Sequence, residues 1–281
     1  MYISAVIPTF NRADSLERAL CSVIEQTEAV DEIIVVDDGS TDDSACRMAA
    51  RFPQIRLQRQ PRLGVSAARN RGVAVAQSEW IALLDSDDCW HPNKIARIRQ
   101  AHREHPDYRL YHSDEIWIRH GVRVNPMRKH RKHGGWIFHQ CLPLCAISPS
   151  TAVIHKSTFN TLGGFDESLP ACEDYDLWLR LCQRFPVHLI DEKLVTRFAG
   201  HEDQLSKRYP LMDRFRIRSL DRLLRQAELS SSDHEAALDM LLQKLNILIS
   251  GAIKHHNQAV LKEFSPLYEY WSKLSDQAAS C

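Results

Sequence analysis

The sequence predicts an α/β fold with a mixed, mostly parallel sheet flanked by helices, followed by a helical extension at the C-terminus. Three observations carry that expectation. The first half alternates strand-like and helix-like segments at short intervals; several of the strand-like segments end in clusters of polar residues; and from about Tyr209 onward only helical spacing of apolar residues remains.

Tyr2 to Pro8 is a β-branched, apolar run, and Asp14 to Glu25 sets Leu16, Leu20, Val23 and Ile24 at helical spacing. Glu32 to Val36 is a second buried-strand run; it ends at Asp37-Asp38-Gly39-Ser40, before a helix over Ser44 to Phe52. Ile55 to Gln58 reads as a third strand and Gly64 to Ala76 as an Ala-rich helix. Trp80 to Leu84 is a fourth strand that runs straight into Asp85-Ser86-Asp87-Asp88. Pro92 then opens a helix at its favoured first position, continuing to about His105.

Beyond Pro106 the alternation degrades. Leu110 to Arg119 reads as extended, Arg128 to Gly135 as a basic, glycine-containing loop, and Thr151 to His155 as a short strand. Gly163-Gly164-Phe165 marks a turn, and Tyr175 to Phe185 a helix with Leu177, Trp178, Leu181 and Phe185 on one side. Val187 to Ile190 and Leu194 to Phe198 predict two more strands, ending at Gly200-His201. Three helices follow, over Leu211 to Leu229, His234 to His256 and about Ala259 to Leu274. Their apolar stripe, from Leu220 and Leu223 to Leu245 and Ile249, offers a face for the rest of the chain, for a second subunit or for a membrane surface.

Composition narrows the function classes. The 281 residues carry 36 Lys+Arg against 36 Asp+Glu, so nucleic-acid binding through bulk positive charge is excluded. At 44% hydrophobic and 26% charged, the chain is an ordinary globular one. The eight cysteines are scattered, with no Cys-x-x-Cys pair, and read as reduced thiols. The N-terminus has no basic region followed by a long apolar run, and the most lipid-like stretch, Leu245 to Ile253, is about half the ~20 residues a spanning helix requires. A cytoplasmic protein without an integral membrane segment is expected.

In open α/β sheets ligands sit beyond the carboxyl ends of the strands. Four such ends carry polar clusters: Pro8-Thr9-Phe10-Asn11-Arg12, Asp37-Asp38, Asp85-Ser86-Asp87-Asp88, and His201. Brought together, they offer backbone groups for a base, carboxylates for a divalent cation and an imidazole ligand, which is a nucleotide–metal site. Three carboxylates within four residues repel one another, and Mg²⁺ or Mn²⁺ would neutralise them; a helix N-terminus decorated with acids has the same sequence, since Pro92 lies just downstream. Asp37 to Asp42 reads equally as an acidic turn capping the next helix, and it lacks the Gly position and the final Glu of an EF-hand loop. Neither a G-x-G-x-x-G fingerprint nor a Walker A sequence occurs.

Taken together, several segments resemble the family 2 glycosyltransferases with the GT-A type, Rossmann-like nucleotide-sugar fold. They are Ala5 to Arg12, Ile33 to Asp42, Gly64 to Gly72, Ile81 to Asp88, Gly163 to Glu167 and Cys172 to Arg180. The resemblance covers roughly residues 1–203. It implies a catalytic domain over 1–205, with a nucleotide-sugar-binding half to about 105 and an acceptor-binding half over 106–205, and a helical extension over 206–281.

The resemblance also implies roles. Pro8, Thr9 and Asn11 would line the nucleotide pocket, Asp38 would accept a hydrogen bond from the base, and Arg69 would steady that pocket or the diphosphate, unless it is a surface arginine on an Ala-rich helix. Asp85-Ser86-Asp87 looks like the family's DxD motif; Asp88 makes the assignment ambiguous by one position, so the metal set is Asp87, Asp88 and His201, with Asp87 favoured. Asp174 looks like the catalytic base, with Glu173 and Gly164 on the acceptor side. The implied activity is metal-dependent, inverting transfer from a nucleotide-diphosphate sugar to a glycan, lipid-linked or other hydroxyl acceptor in cell-envelope polysaccharide synthesis. The alternative is a nucleotide-sugar-binding protein without transfer. No Gln-x-x-Arg-Trp sequence occurs, which argues against the processive synthases. Implied partners are the donor, the acceptor, a divalent metal, the inner face of the membrane as a peripheral contact, and a second copy through the C-terminal helices; nucleic acid is not among them. The basic run Arg128 to His133 would hold an acceptor phosphate or remain a solvated loop, and Cys141 to Ser150 falls where the acceptor wall is built.

Overall fold

A computed structural model of the chain describes residues 1–200 and 208–279. Strands β1 (Ile3–Thr9), β2 (Glu32–Asp37), β3 (Ile55–Arg59) and β4 (Trp80–Leu83) form a parallel half-sheet in the order β3-β2-β1-β4. Successive side chains of a strand point to opposite faces, and both faces of this half are covered. Ile3, Ala5, Ile7, Ile33 and Val35 pack on helices α1 (Ala13–Ile24), α2 (Ser44–Arg51) and α4 (Lys94–Glu104). Val6, Ile34, Val36 and Leu83 face α3 (Val65–Val75) on the other side. Continuous apolar runs, rather than alternation, are what such doubly covered parallel strands require.

The second half is mixed. Strands β5 (Cys89–Trp90), β6 (Leu110–Arg119), β8 (Val153–His155) and β9 (His188–Ala199) extend the sheet as β4-β8-β6-β9-β5, and β7 (Val122–Val124) pairs with β6. β8 runs antiparallel to both β4 and β6, and β9 runs parallel to β6. The short helices α5 (Phe138–Cys141) and α6 (Lys156–Thr161) precede α7 (Glu173–Cys182). The tail forms α8 (Asp213–Gln226), α9 (Ser231–Lys254) and α10 (Gln258–Ala279). Its Phe215, Leu220, Leu241 and Leu245 join one continuous core with Trp178 and Leu181 of α7.

Several expectations change in detail. The two strands predicted over Val187 to Phe198 are one strand, β9, which accommodates the irregular register at Ser113, Asp114 and Glu115 without breaking. Pro92 does not open α4, which begins at Lys94 after Asn93. β5, β7, α5 and α6 are too short to leave a period in the sequence. α9 is longer than the stretch singled out as lipid-like: its 24 residues contain an 18-residue window of mean hydropathy 1.3, enough by length and composition to cross a membrane, and 39% of that window is buried within the molecule. Its Leu238, Leu241, Leu245 and Leu248 are committed to the core.

The parallel half depends on one close approach. A Cβ at Gly72, on α3, would stand 2.3 Å from Val6 Cγ1 and 3.3 Å from Val36 Cγ2. Gly72→Ala is therefore expected to lower stability by about 1–3 kcal/mol through overpacking, read from the midpoint of urea denaturation; an unchanged midpoint would refute this account of α3 packing.

Candidate functional site

One cleft of about 1090 Å³ opens at the carboxyl ends of β1, β2, β4 and β9. Pro8, Thr9 and Asp38 line one end, Asp85, Ser86, Asp87 and Asp88 the middle, and Glu173 and Asp174 the far side. Sequence positions far apart thus meet in a single cavity, as the strand-end argument requires.

At the first end, the Asp38 carboxylate is buried and organises its own wall. Oδ1 accepts from Gln60 Nε2 and from the Leu63 N–H at 2.8 Å each, and Oδ2 accepts from the Gly64 N–H at 2.9 Å. Asp37, its neighbour, points elsewhere and ties down the Ser40 N–H and Arg59. Thr9 Oγ1 and Ser66 Oγ are buried in this wall with no hydrogen-bond partner among the described residues. Buried polar atoms are ordinarily satisfied, so two orphaned hydroxyls in one cleft suit a polar ligand. Asn11 does not line the cleft. Its Oδ1 accepts from the Thr41 N–H (2.8 Å), so the side chain is spent on bracing the loop after β2.

The acidic cluster follows β4. One oxygen from each of Asp85, Asp87 and Asp88 lies within 4.8 Å of the others. Asp88 is the most deeply placed: its Oδ2 accepts from Ser150 Oγ (2.6 Å) and its Oδ1 from the Phe198 N–H (3.1 Å). Burial, and then repulsion by Asp87 and Asp85, pushes its carboxyl well above the usual range. Asp85 and Asp87 are more open, and cations already flank them: Arg12 pairs with Asp87, and Arg69 Nη2 lies 2.6 Å from Asp85 Oδ1. Such a donor set, all hard oxygens, fits Mg²⁺ or Mn²⁺. Asp88 spends both oxygens on protein donors, which leaves Asp85 and Asp87 the readier ligands. His201 lies outside the described residues.

Arg69 is not a surface arginine. It is 3% exposed, with Nη1 2.6 Å from Glu173 Oε1 and Nη2 on Asp85. Burial works against its charge, but the two carboxylates outweigh that and raise its pKa. Burial likewise raises the Glu173 carboxyl, with Arg69 opposing. Through Arg69, Glu173 ties the start of α7 to Asp85 of the acidic cluster.

Asp174 stands next to it at the cleft. Its Oδ2 accepts from the Cys145 thiol (3.1 Å) and its Oδ1 from the Tyr175 N–H (2.7 Å). The Cys141 to Cys145 segment is thus a floor beneath Asp174, tied down further by Tyr175 Oη donating to the Leu142 carbonyl. Burial, with Asp174 beside it, pushes the Cys145 thiol well up, so it stays a protonated donor. Gly164 is not part of the cleft. Its carbonyl accepts from Arg180 and its φ of +70° shapes the turn, where a Cβ would meet Asn70 Oδ1 at 2.8 Å.

Arg12, Arg62, Ser66, Arg197 and Tyr209 also line the cleft and were not among the predicted site residues. Arg197 follows from the same strand-end rule applied to β9. The basic run divides: Lys132 is half-buried, 3.1 Å from Glu115 and donating to Ser148 Oγ, while Arg128, Lys129 and Arg131 are exposed. Behind the cluster, Lys94 is fully buried and donates to the Thr151 carbonyl (2.9 Å).

The chain matches Glycosyl transferase family 2 over residues 4–146 and Glycosyltransferase like family 2 over residues 137–206. It is 26% identical over 208 residues to an uncharacterized glycosyltransferase of Haemophilus influenzae, spanning 68% of this chain and 66% of that protein. A Rickettsia felis relative, 28% identical over 220 residues, is matched over only 35% of its length. Among solved structures, S. aureus TarS in complex with UDP-GlcNAc superposes with a TM-score of 0.71 at 17% identity, over 89% of this chain and 73% of that one. The mannosyltransferase PcManGT from Pyrobaculum calidifontis, in complex with GDP-Man and Mn²⁺, does so at 0.63 and 16%, over 99% and 86%. At these identities the two structures establish the GT-A fold.

Two outcomes are expected. Arg69→Met strands Glu173 as a buried, unpaired anion and should cost about 3–5 kcal/mol; adding Glu173→Gln should recover part of the loss in the denaturation midpoint, and a strictly additive double variant would contradict the pairing. Burial also brings Lys94 down from 10.5 to about 7. Across that window the unfolded chain holds a proton on Lys94 that the folded chain does not, so stability rises with pH. Lys94→Met should remove that rise, and a wild-type-minus-variant difference that is flat from about pH 7 to about pH 10 would contradict it.

Proposed function

Because the chain belongs to glycosyl transferase family 2, we propose that it transfers a sugar from a nucleotide-diphosphate donor to a hydroxyl acceptor, with the help of a divalent metal and with inversion at the anomeric carbon. The observation that carries this reading is that one cleft is lined at once by an acidic cluster, by Asp174 and by the unpartnered buried hydroxyls of Thr9 and Ser66. TarS and PcManGT, which share the fold, are described with UDP-GlcNAc and with GDP-Man and Mn²⁺. These ligands suit the same chemistry here.

The base end of the donor would rest on Pro8 and Thr9, in the wall that Asp38 holds in shape. Asp38 retains one lone pair on Oδ2 beyond its three internal bonds. Asp85 and Asp87, with Asp88 behind them, would hold the metal, which when bound supplies charge neutralisation at the diphosphate. Arg12 and Arg197 add positive charge in the same cleft. The acceptor oxygen attacks the anomeric carbon as the bond to the diphosphate oxygen breaks. Asp174 takes the acceptor's proton, and the nucleoside diphosphate leaves with the bonding electron pair. The Cys145 thiol and the Tyr175 N–H orient that carboxylate.

A panel of nucleotide sugars, with and without Mn²⁺, tests the reading by thermal shift and by release of nucleoside diphosphate. One donor is expected to stabilise the protein only with metal. Asp174→Asn should keep that stabilisation while turnover falls by about 10²–10⁴, and Asp87→Asn should lose the metal-dependent part. If no donor binds with metal present, the nucleotide-sugar reading fails. Donor binding without turnover in any acceptor mixture would leave a binding protein in its place.

A further inference from the structure

Positive charge is concentrated in one surface segment. From Ile116 to Phe165 the chain has no Asp or Glu, yet it carries Arg119, Arg123, Arg128, Lys129, Arg131, Lys132 and Lys156, within a sequence whose charges balance only as a whole. Lys132 is taken by Glu115, and Lys156 donates to the Ala76 carbonyl. The other five are exposed, and among the described residues none forms a salt bridge. On the parallel half some exposed arginines are matched, Arg51 with Glu17, Arg56 with Glu32 and Arg97 with Glu192, and others, such as Arg47, Arg71 and Arg103, are not matched among the described residues, but there acidic residues are interspersed along the chain. Interleaved with the five unmatched cations are large apolar side chains left in solvent, Val122 at 65%, Met127 at 62% and Trp136 at 67% exposure.

The segment also lies beside the cleft. The ring of His130 packs 4.9 Å from that of Trp117, and the guanidinium of Arg197, which lines the cleft, sits 5.7 Å from the Trp117 ring. A surface rich in unmatched cations, with aliphatic, thioether and indole groups between them, has the composition of an interfacial membrane contact. Single-stranded nucleic acid is bound on a succession of free stacking rings, whereas here Trp117 and His130 pack against each other and Trp136 is the one exposed indole of the segment.

We propose that the surface from Arg119 to Trp136 docks the protein on an anionic lipid bilayer, its guanidinium and ammonium groups against headgroup phosphates and Val122, Met127 and Trp136 in the interfacial layer. This inference does not depend on the transfer reaction, because it is read by binding alone. Each cation near such a surface strengthens partitioning by about fivefold.

The full chain would be sedimented with vesicles of phosphatidylcholine, with and without phosphatidylglycerol, at low and high salt. Binding to the anionic vesicles alone, weakened by salt, is expected. The triple variant R128Q/K129Q/R131Q should lower the partition coefficient by about 100-fold with an unchanged melting midpoint, and R128K/R131K should retain binding. M127S/W136S should remove the part of the binding that survives high salt. Equal binding of the wild type and the triple variant, or no binding to anionic vesicles, overturns the proposal. So does tighter binding to an RNA or DNA oligonucleotide that the same triple variant abolishes while vesicle binding persists.

Discussion

A single buried guanidinium joins the two halves of the cleft. Arg69 leaves α3 on the parallel side and is held between Asp85, at the end of β4, and Glu173, at the start of α7. The arrangement has little freedom. A buried cation must keep both partners, and each carboxylate would be destabilising without it. Asp174 follows Glu173 in the chain, so whatever fixes Glu173 also fixes the proposed base relative to the acidic cluster.

The acidic cluster is supported from behind by a second set of buried polar groups. The turn over residues 148–151 is central to it: Ser150 Oγ donates to Asp88 and accepts from the Asp85 N–H, the Ser150 carbonyl accepts from Trp90, and the Thr151 carbonyl accepts from Lys94. Ser148 Oγ meets Glu115, whose pKa is brought down to about 2 because Lys132 and Arg197 outweigh the cost of its burial. Charge thus alternates through the interior from Lys132 to Glu115 to Arg197 to Asp88. Through Ser150 the network braces Asp85 and Asp88 from behind, although one buried oxygen of Glu115, Oε2, has no hydrogen-bond partner among the described residues.

Much of this was legible in the sequence because parallel strands advertise themselves. The runs at Ile3, Ile33, Ile55 and Trp80 are short, apolar and separated by helices, and the polar residues just beyond them belong to the cleft wherever the strand points into it. Thr9, Asp38, Asp85 and Asp87 follow from that rule alone. The failures have a common cause. Asn11 and Gly164 sit within matching motifs but serve the backbone, and no period in the sequence separates a residue that shapes a loop from one that faces a ligand. For Arg69 the sequence leaves a surface position open beside a place at the pocket, because α3 is Ala-rich and carries little amphipathic signal; the structure puts it in the cleft wall, paired with Glu173, 104 positions away. Cys145 gave no sign of meeting Asp174, since the contact depends on how α5 packs under α7.

The tail is bound to this machinery through charge as well as through the core. Arg222 of α8 pairs with both Asp166 and Asp176, and Lys244 of α9 donates to the Pro143 carbonyl in the segment beneath Asp174. Asp176 is buried on α7, where Arg180 is its other partner. A foreign helical tail grafted after the last strand would therefore arrive without the cation that Asp166 and Asp176 share. The tail is thus an electrostatic counterpart of α7, supplying positive charge to Asp166 and Asp176, and not only a cover for the apolar face of that helix.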